Sequence, residues 1–81
     1  MDQKEIYESL KAYLQITFEV PEENISPDAR LLEDLDLDSI DAVDLMVKLE
    51  KISGRKIQSA EFKEIKTLND IVEKVLKILD D

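Results

Sequence analysis

Apolar residues recur every three or four positions in several stretches of this chain, and that spacing limits what it can fold into more than any other feature. Ile6, Leu10, Tyr13, Leu14 and Phe18 fall on one side of an α-helix over residues 2–18. The residue before a proline is pushed out of helical backbone angles, so this helix should end near Val20-Pro21. Leu68, Ile71, Val72, Val75, Leu76 and Leu79 share one face of a helix over residues 68–79, and Thr67 with Asp70 offers a capping box in front of it. Between them, residues 38–53 read as a helix, with Asp38 as N-cap and Gly54 suited to a left-handed residue just past the end. Residues 59–65 fit a short helix whose only large apolar residues are Phe62 and Ile65. One Gly and two Pro leave few obligatory breaks. The expected fold is all-α: a small four-helix bundle of three longer helices and one short third helix, with a long loop between helices 1 and 2.

That loop is about seventeen residues, long for a compact domain. Ile25, Leu31, Leu32, Leu35 and Leu37 are spaced through it as anchors, and Ser26-Pro27-Asp28 has turn chemistry. Such a loop returns the start of the next helix to a fixed place.

The 81 residues are expected to form a single domain, and a domain of that size leaves little room for a deep catalytic cleft. Twenty acids against 11 bases give a net charge of −9. Nucleic acid and anionic membranes both need a positive surface, so neither is an expected partner; a basic protein surface is. The chain has no Cys and no His, hence no disulfide, no thiolate metal site and no thiol nucleophile. Its first residues lack the basic and apolar regions of a signal peptide, and apolar runs such as Leu45-Met46-Val47 reach only three residues. A soluble, monomeric, cytoplasmic protein without membrane insertion is expected.

Unrolled at about 100° per residue, the second helix carries two apolar stripes. Ala42, Leu45, Met46, Leu49 and Ile52 form a core face. Ile40, Val43 and Val47 fall nearly opposite, where a bundle helix should be polar, with Asp41 and Asp44 on one flank and Glu50 on the other. Residues 33–47 contain six acids and no base. Like charge gathered this closely costs stability, so the apolar strip edged by carboxylates reads as a docking surface. Ser39 stands at its start, exposed at the tip of the helix.

Self-contained serine catalysis needs a neighbouring base, normally His or Lys, and Ser39 has only carboxylates around it. Carboxylates on exposed helix positions lack the enclosure that separates a general acid from a general base. Asp34-x-Asp36-x-Asp38 imitates the opening of a calcium loop, but Ser39 stands where Gly is needed and Leu45 where a bidentate Glu is needed. No specific metal site is expected. The remaining role for Ser39 is as a substrate, modified by another enzyme with a phosphate ester that a helix tip tolerates.

The run Leu35-x-x-Asp38-Ser39-Ile40-Asp41-x-Val43-Asp44-Leu45, followed by Leu49-Glu50, resembles the acyl carrier proteins of fatty-acid or polyketide type, and the resemblance covers nearly the whole chain. It implies that Ser39 carries 4′-phosphopantetheine, transferred from coenzyme A by a holo-synthase (a phosphopantetheinyl transferase), so that the missing thiol arrives on a flexible arm and acyl groups ride on it as thioesters. By the same resemblance Asp38 helps to position the synthase's magnesium ion. Asp41, Asp44 and Glu50 meet basic patches on acyl-transfer and chain-elongation enzymes, and Ile40, Val43 and Val47 fill the apolar part of those contacts. A growing acyl chain tucks between the helices. The chain departs from many family members in having Asp36 where they have Gly, and Ile52-Ser53-Gly54 where an aromatic is common. Asp38 in place of His before the serine argues against a peptidyl carrier. The alternative is an acidic helical adaptor that binds basic partners without being modified.

Overall fold

A computed structural model describes residues 2–80. Its helices are α1 (Gln3–Thr17), α2 (Ser39–Ser53), α3 (Ser59–Lys63) and α4 (Leu68–Asp80), with one turn of 3₁₀ helix at Glu22–Asn24. No strand is assigned among the described residues, and no helix is long and apolar enough to cross a membrane.

Each long helix begins where a side chain satisfies its free N–H groups. Asp2 accepts from the Glu5 N–H at 2.8 Å and Glu5 returns the bond at 3.4 Å. Thr67 and Asp70 form the same reciprocal pair in front of α4: the Asp70 N–H donates to Thr67 Oγ1 at 3.2 Å, and the Thr67 N–H donates to Asp70 Oδ2 at 3.0 Å. The Lys66 N–H reaches that same oxygen at 3.0 Å, and these backbone bonds hold the Asp70 carboxyl below its ordinary range.

The helices close over one apolar core of Ile6, Leu10 and Leu14 from α1, Leu45 and Leu49 from α2, and Leu68, Ile71, Val72, Val75 and Ile78 from α4. Ile25, Leu31, Leu35 and Leu37 add to it from the long connection, as expected of anchors. Leu32 does not: it is 63% exposed. The Asp34 and Leu35 N–H groups both donate to the Arg30 carbonyl, a helix-like turn that sets Leu31 and Leu35 on its inner side and Leu32 on the outer. Leu79 is likewise 39% exposed, while Ile78 is buried. Leu68, Ile71, Val75 and Ile78 follow a seam with a seven-residue repeat, which drifts by about 20° per repeat around a straight helix and ends beside Ile78.

Two helix ends come earlier than the sequence suggests. α1 stops at Thr17 because Glu19 takes a left-handed φ of 56° and the Val20 N–H turns back to the Leu14 carbonyl at 3.3 Å, so that Val20 enters the core. α3 stops at Lys63, where the Ile65 N–H donates to the Phe62 carbonyl in a tighter turn. Gly54 takes the left-handed conformation expected of it, with φ at 73°.

The connection is fastened to the α3–α4 junction by backbone bonds. The Leu31 N–H donates to the Lys66 carbonyl, the Leu68 N–H to the Ala29 carbonyl and the Asn69 N–H to the Pro27 carbonyl, all at 2.9–3.0 Å. With Leu35 and Leu37 buried immediately before Asp38, the start of α2 is held at both ends of its approach.

Candidate functional site

Ser39 is the first residue of α2 and is exposed. Asp38 in front of it is the N-cap: its Oδ1 accepts from the Ile40 and Asp41 N–H groups, both at 2.9 Å. Asp41 Oδ2 accepts from the Asp38 N–H at 3.3 Å, completing a capping box. One carboxylate oxygen therefore fixes the helix start and the direction in which Ser39 projects. Asp38 Oδ2 accepts no hydrogen bond among the described residues.

The sharp turn before the cap depends on Asp36, whose φ is 56°. Asp occupies left-handed angles more readily than most residues, so it serves in this turn. Asp34, the third acid of this run, accepts from the Arg30 backbone N–H at 2.8 Å and from its guanidinium at 3.2 Å, and both bonds lower its pKa. The three alternating aspartates thus act separately: one on Arg30, one in the turn, one on the helix.

The exposed stripe of α2 stands as expected, with Ile40 72%, Val43 54% and Val47 42% exposed. Asp44 is exposed beside it. Glu50, expected among the docking acids, is half-buried and accepts the Ile57 N–H at 2.8 Å, a bond that pins the turn after α2 to the helix.

Tyr13 belongs to this site although periodicity assigns it only to the core. Its hydroxyl donates to the Asp44 carbonyl at 3.3 Å, its ring lies edge-on to Phe18 at 5.5 Å, and the Lys48 ammonium lies 5.4 Å from the ring centroid. Burial, then the carboxylates of Asp44 and Asp41, push the Tyr13 hydroxyl pKa up. The signal was in its chemistry: a half-buried Tyr on a core face needs a partner for its hydroxyl, and the apolar pattern cannot say which.

A cavity of about 350 Å³ opens between α2, α3 and the end of the connection. Leu31, Leu37, Ala42, Leu45, Phe62 and Ile65 give it apolar walls, and Leu32, exposed to solvent, is part of its lining. Ala42 is one helical turn beyond Ser39, so an arm rooted at the serine has an apolar recess beside its origin. The Ser39 hydroxyl makes no hydrogen bond among the described residues and is free to bear an ester, which fits a covalent group attached there.

The family model for the phosphopantetheine attachment site matches residues 8–75, which include the whole of α2 and this cavity. The chain is 42% identical over 79 residues to acyl carrier protein 2 of Ralstonia nicotianae, covering 98% of each. It is 37% identical over 73 residues to the acyl carrier protein of Coprothermobacter proteolyticus, covering 90% of this chain and 89% of that one. Over 76 residues it is 34% identical to that of Thermotoga maritima, covering 94% of each. The chain belongs to the phosphopantetheine-binding acyl carrier family. Its cofactor is covalently attached 4′-phosphopantetheine, and it is a carrier rather than a catalyst, working with a phosphopantetheinyl transferase and with biosynthetic enzymes.

Proposed function

We propose that Ser39 is the attachment point and that the 81 residues act as one monomeric, cytoplasmic carrier domain delivering acyl thioesters to enzymes of fatty-acid, polyketide or related lipid biosynthesis. The observation that carries this reading is the placement of an exposed, unbonded serine hydroxyl at the capped start of α2, one turn from an apolar cavity. Ser39 Oγ attacks the phosphorus of coenzyme A that bears the pantetheine arm, forming a phosphodiester as the pyrophosphate P–O bond breaks and adenosine 3′,5′-bisphosphate leaves. The serine proton goes to a base on the transferase, because the chain has no His and no Lys between Lys11 and Lys48. Asp38 Oδ2 supplies a free carboxylate oxygen to the transferase's magnesium ion. Asp41 and Asp44, on one flank of the stripe of Ile40, Val43 and Val47, meet a surface that is basic beside an apolar patch. Glu50 shapes that surface by holding the turn behind it.

Loading tests the carrier role. A transferase supplied with acyl-coenzyme A should leave the acyl group on the chain, and neutral hydroxylamine, which cleaves thioesters, should release it. The adaptor alternative predicts partner binding that ignores both coenzyme A and Ser39→Ala. Equal binding with and without them, together with no acyl group released, contradicts the carrier reading.

A further inference from the structure

The acidic stretch is followed directly by a basic one. Lys48, Lys51, Arg55 and Lys56 succeed the acids of residues 33–47, with Glu50 the one carboxylate among them. Glu50 is committed to the Ile57 N–H, Lys48 to the Tyr13 ring, and Arg55 to Glu61 at 3.5 Å. Lys51 and Lys56 are exposed, and neither has an ion pair among the described residues. On the helical projection Lys51 falls between the lines of Ile40 and Asp44, so the apolar stripe runs from carboxylates at one end to an ammonium at the other. Asp44, the carboxylate of this face nearest to Lys51, is separated from it by about 10 Å at about 1.5 Å per residue, and Asp38 by about 20 Å. Both exceed the Debye length of about 8 Å at physiological salt, so a partner senses two charges and not their average. A lysine in the last turn of a helix also suits the helix dipole, but Lys56 lies beyond the Gly54 cap, where the dipole gives it no such role.

We propose that this face docks a bipolar partner: an enzyme surface cationic where it meets residues 38–44, apolar against Val43 and Val47, and anionic where it meets Lys51 and, in the turn that the Ile57–Glu50 bond holds against α2, Lys56. The inference rests on the carrier reading, since the partner is an enzyme brought to Ser39. Two opposed charge contacts fix the direction in which the enzyme lies along α2, and a uniformly cationic surface is repelled at the far end.

The test measures the KM for the carrier in Ser39 modification by the phosphopantetheinyl transferase of its native host, using wild type, Lys51→Gln/Lys56→Gln and Lys51→Glu/Lys56→Glu. At low salt the reversal raises KM about fivefold, the neutral pair raises it less, and the differences narrow with added salt. Thermal melts of both variants show whether the fold is kept, and the neutral pair carries the test if the reversal does not fold. An unchanged KM overturns the proposal. So does a lower KM in the reversal variant, which is the mark of a uniformly cationic partner. Sedimentation of the wild type as a dimer that the reversal variant loses assigns the face to a second copy, and also overturns it. A wild-type chain that gains no mass at all overturns the carrier reading itself, which the KM comparison does not.

Discussion

Single residues at this site carry structural duties that a list of docking acids hides. Glu50 accepts a half-buried backbone N–H, and leaving that donor without a partner costs about 1–3 kcal/mol. Glu50→Ala should therefore lower the unfolding free energy by that order in a urea titration, while Glu50→Gln, which keeps an acceptor, should lose much less. Equal losses would return Glu50 to a purely electrostatic role. Glu19 is strained in another way, because its φ of 56° brings Cβ close to the following carbonyl. Glu19→Gly should raise stability by about 1 kcal/mol, and a decrease would contradict the strain. Asp36 shares the φ but not the expectation, since Asp tolerates the angle better. Its fitness for the turn was legible from residue type; the left-handed Glu19 was not, because nothing local requires it and the benefit is Val20 entering a core made by other helices.

At the scale of the element, α2 was largely legible. Its cap, its first residue, its terminal glycine and its two stripes depend on neighbours within four positions, and periodicity reads that range well. What escaped came from other elements: Tyr13 on the Asp44 carbonyl and Ile57 on Glu50 are contacts at 31 and 7 residues' separation. The structure also distinguishes the two first acids of α2. Asp41 serves the capping box as well as the surface, so Asp44→Lys is the cleaner probe of docking. It should slow modification of Ser39 and reduce the salt dependence of the wild-type rate, with the melting temperature nearly unchanged. A rate equal to wild type at low salt would remove Asp44 from the interface. α4 has its own control. Asp70 is held below its ordinary pKa by backbone N–H groups, so its contribution to stability is present above that ordinary value and lost as pH falls through the folded-state value. The stability difference between wild type and Asp70→Asn should stay constant from neutral pH down to about pH 5 and shrink below about pH 4. A difference that persists undiminished in strong acid would contradict this.

The whole molecule combines a net charge of −9 with a core that contains no buried polar or charged residue among the described ones. Its apolar interior holds the fold while its surface repels itself, most strongly around residues 33–47. Salt or magnesium screens that repulsion, so the melting temperature should rise with ionic strength; a flat response would mean the charge is already compensated. The all-α bundle could be read in the sequence because each helix advertises its own face. Which apolar residues of the connection turn inward could not, as Leu32 shows, because that depends on a turn closed around Arg30. Ser39 stands out in the sequence by its surroundings and by what the chain lacks: neither His nor Cys is present to make it act, and that absence is the ground for proposing it as the residue acted upon. The most direct measurement is the intact mass after incubation with coenzyme A, magnesium and a phosphopantetheinyl transferase, followed by fragmentation to locate the gain. One phosphopantetheine on Ser39, absent from Ser39→Ala, is the predicted result; no gain with any of several transferases, or a gain on another residue, would contradict it.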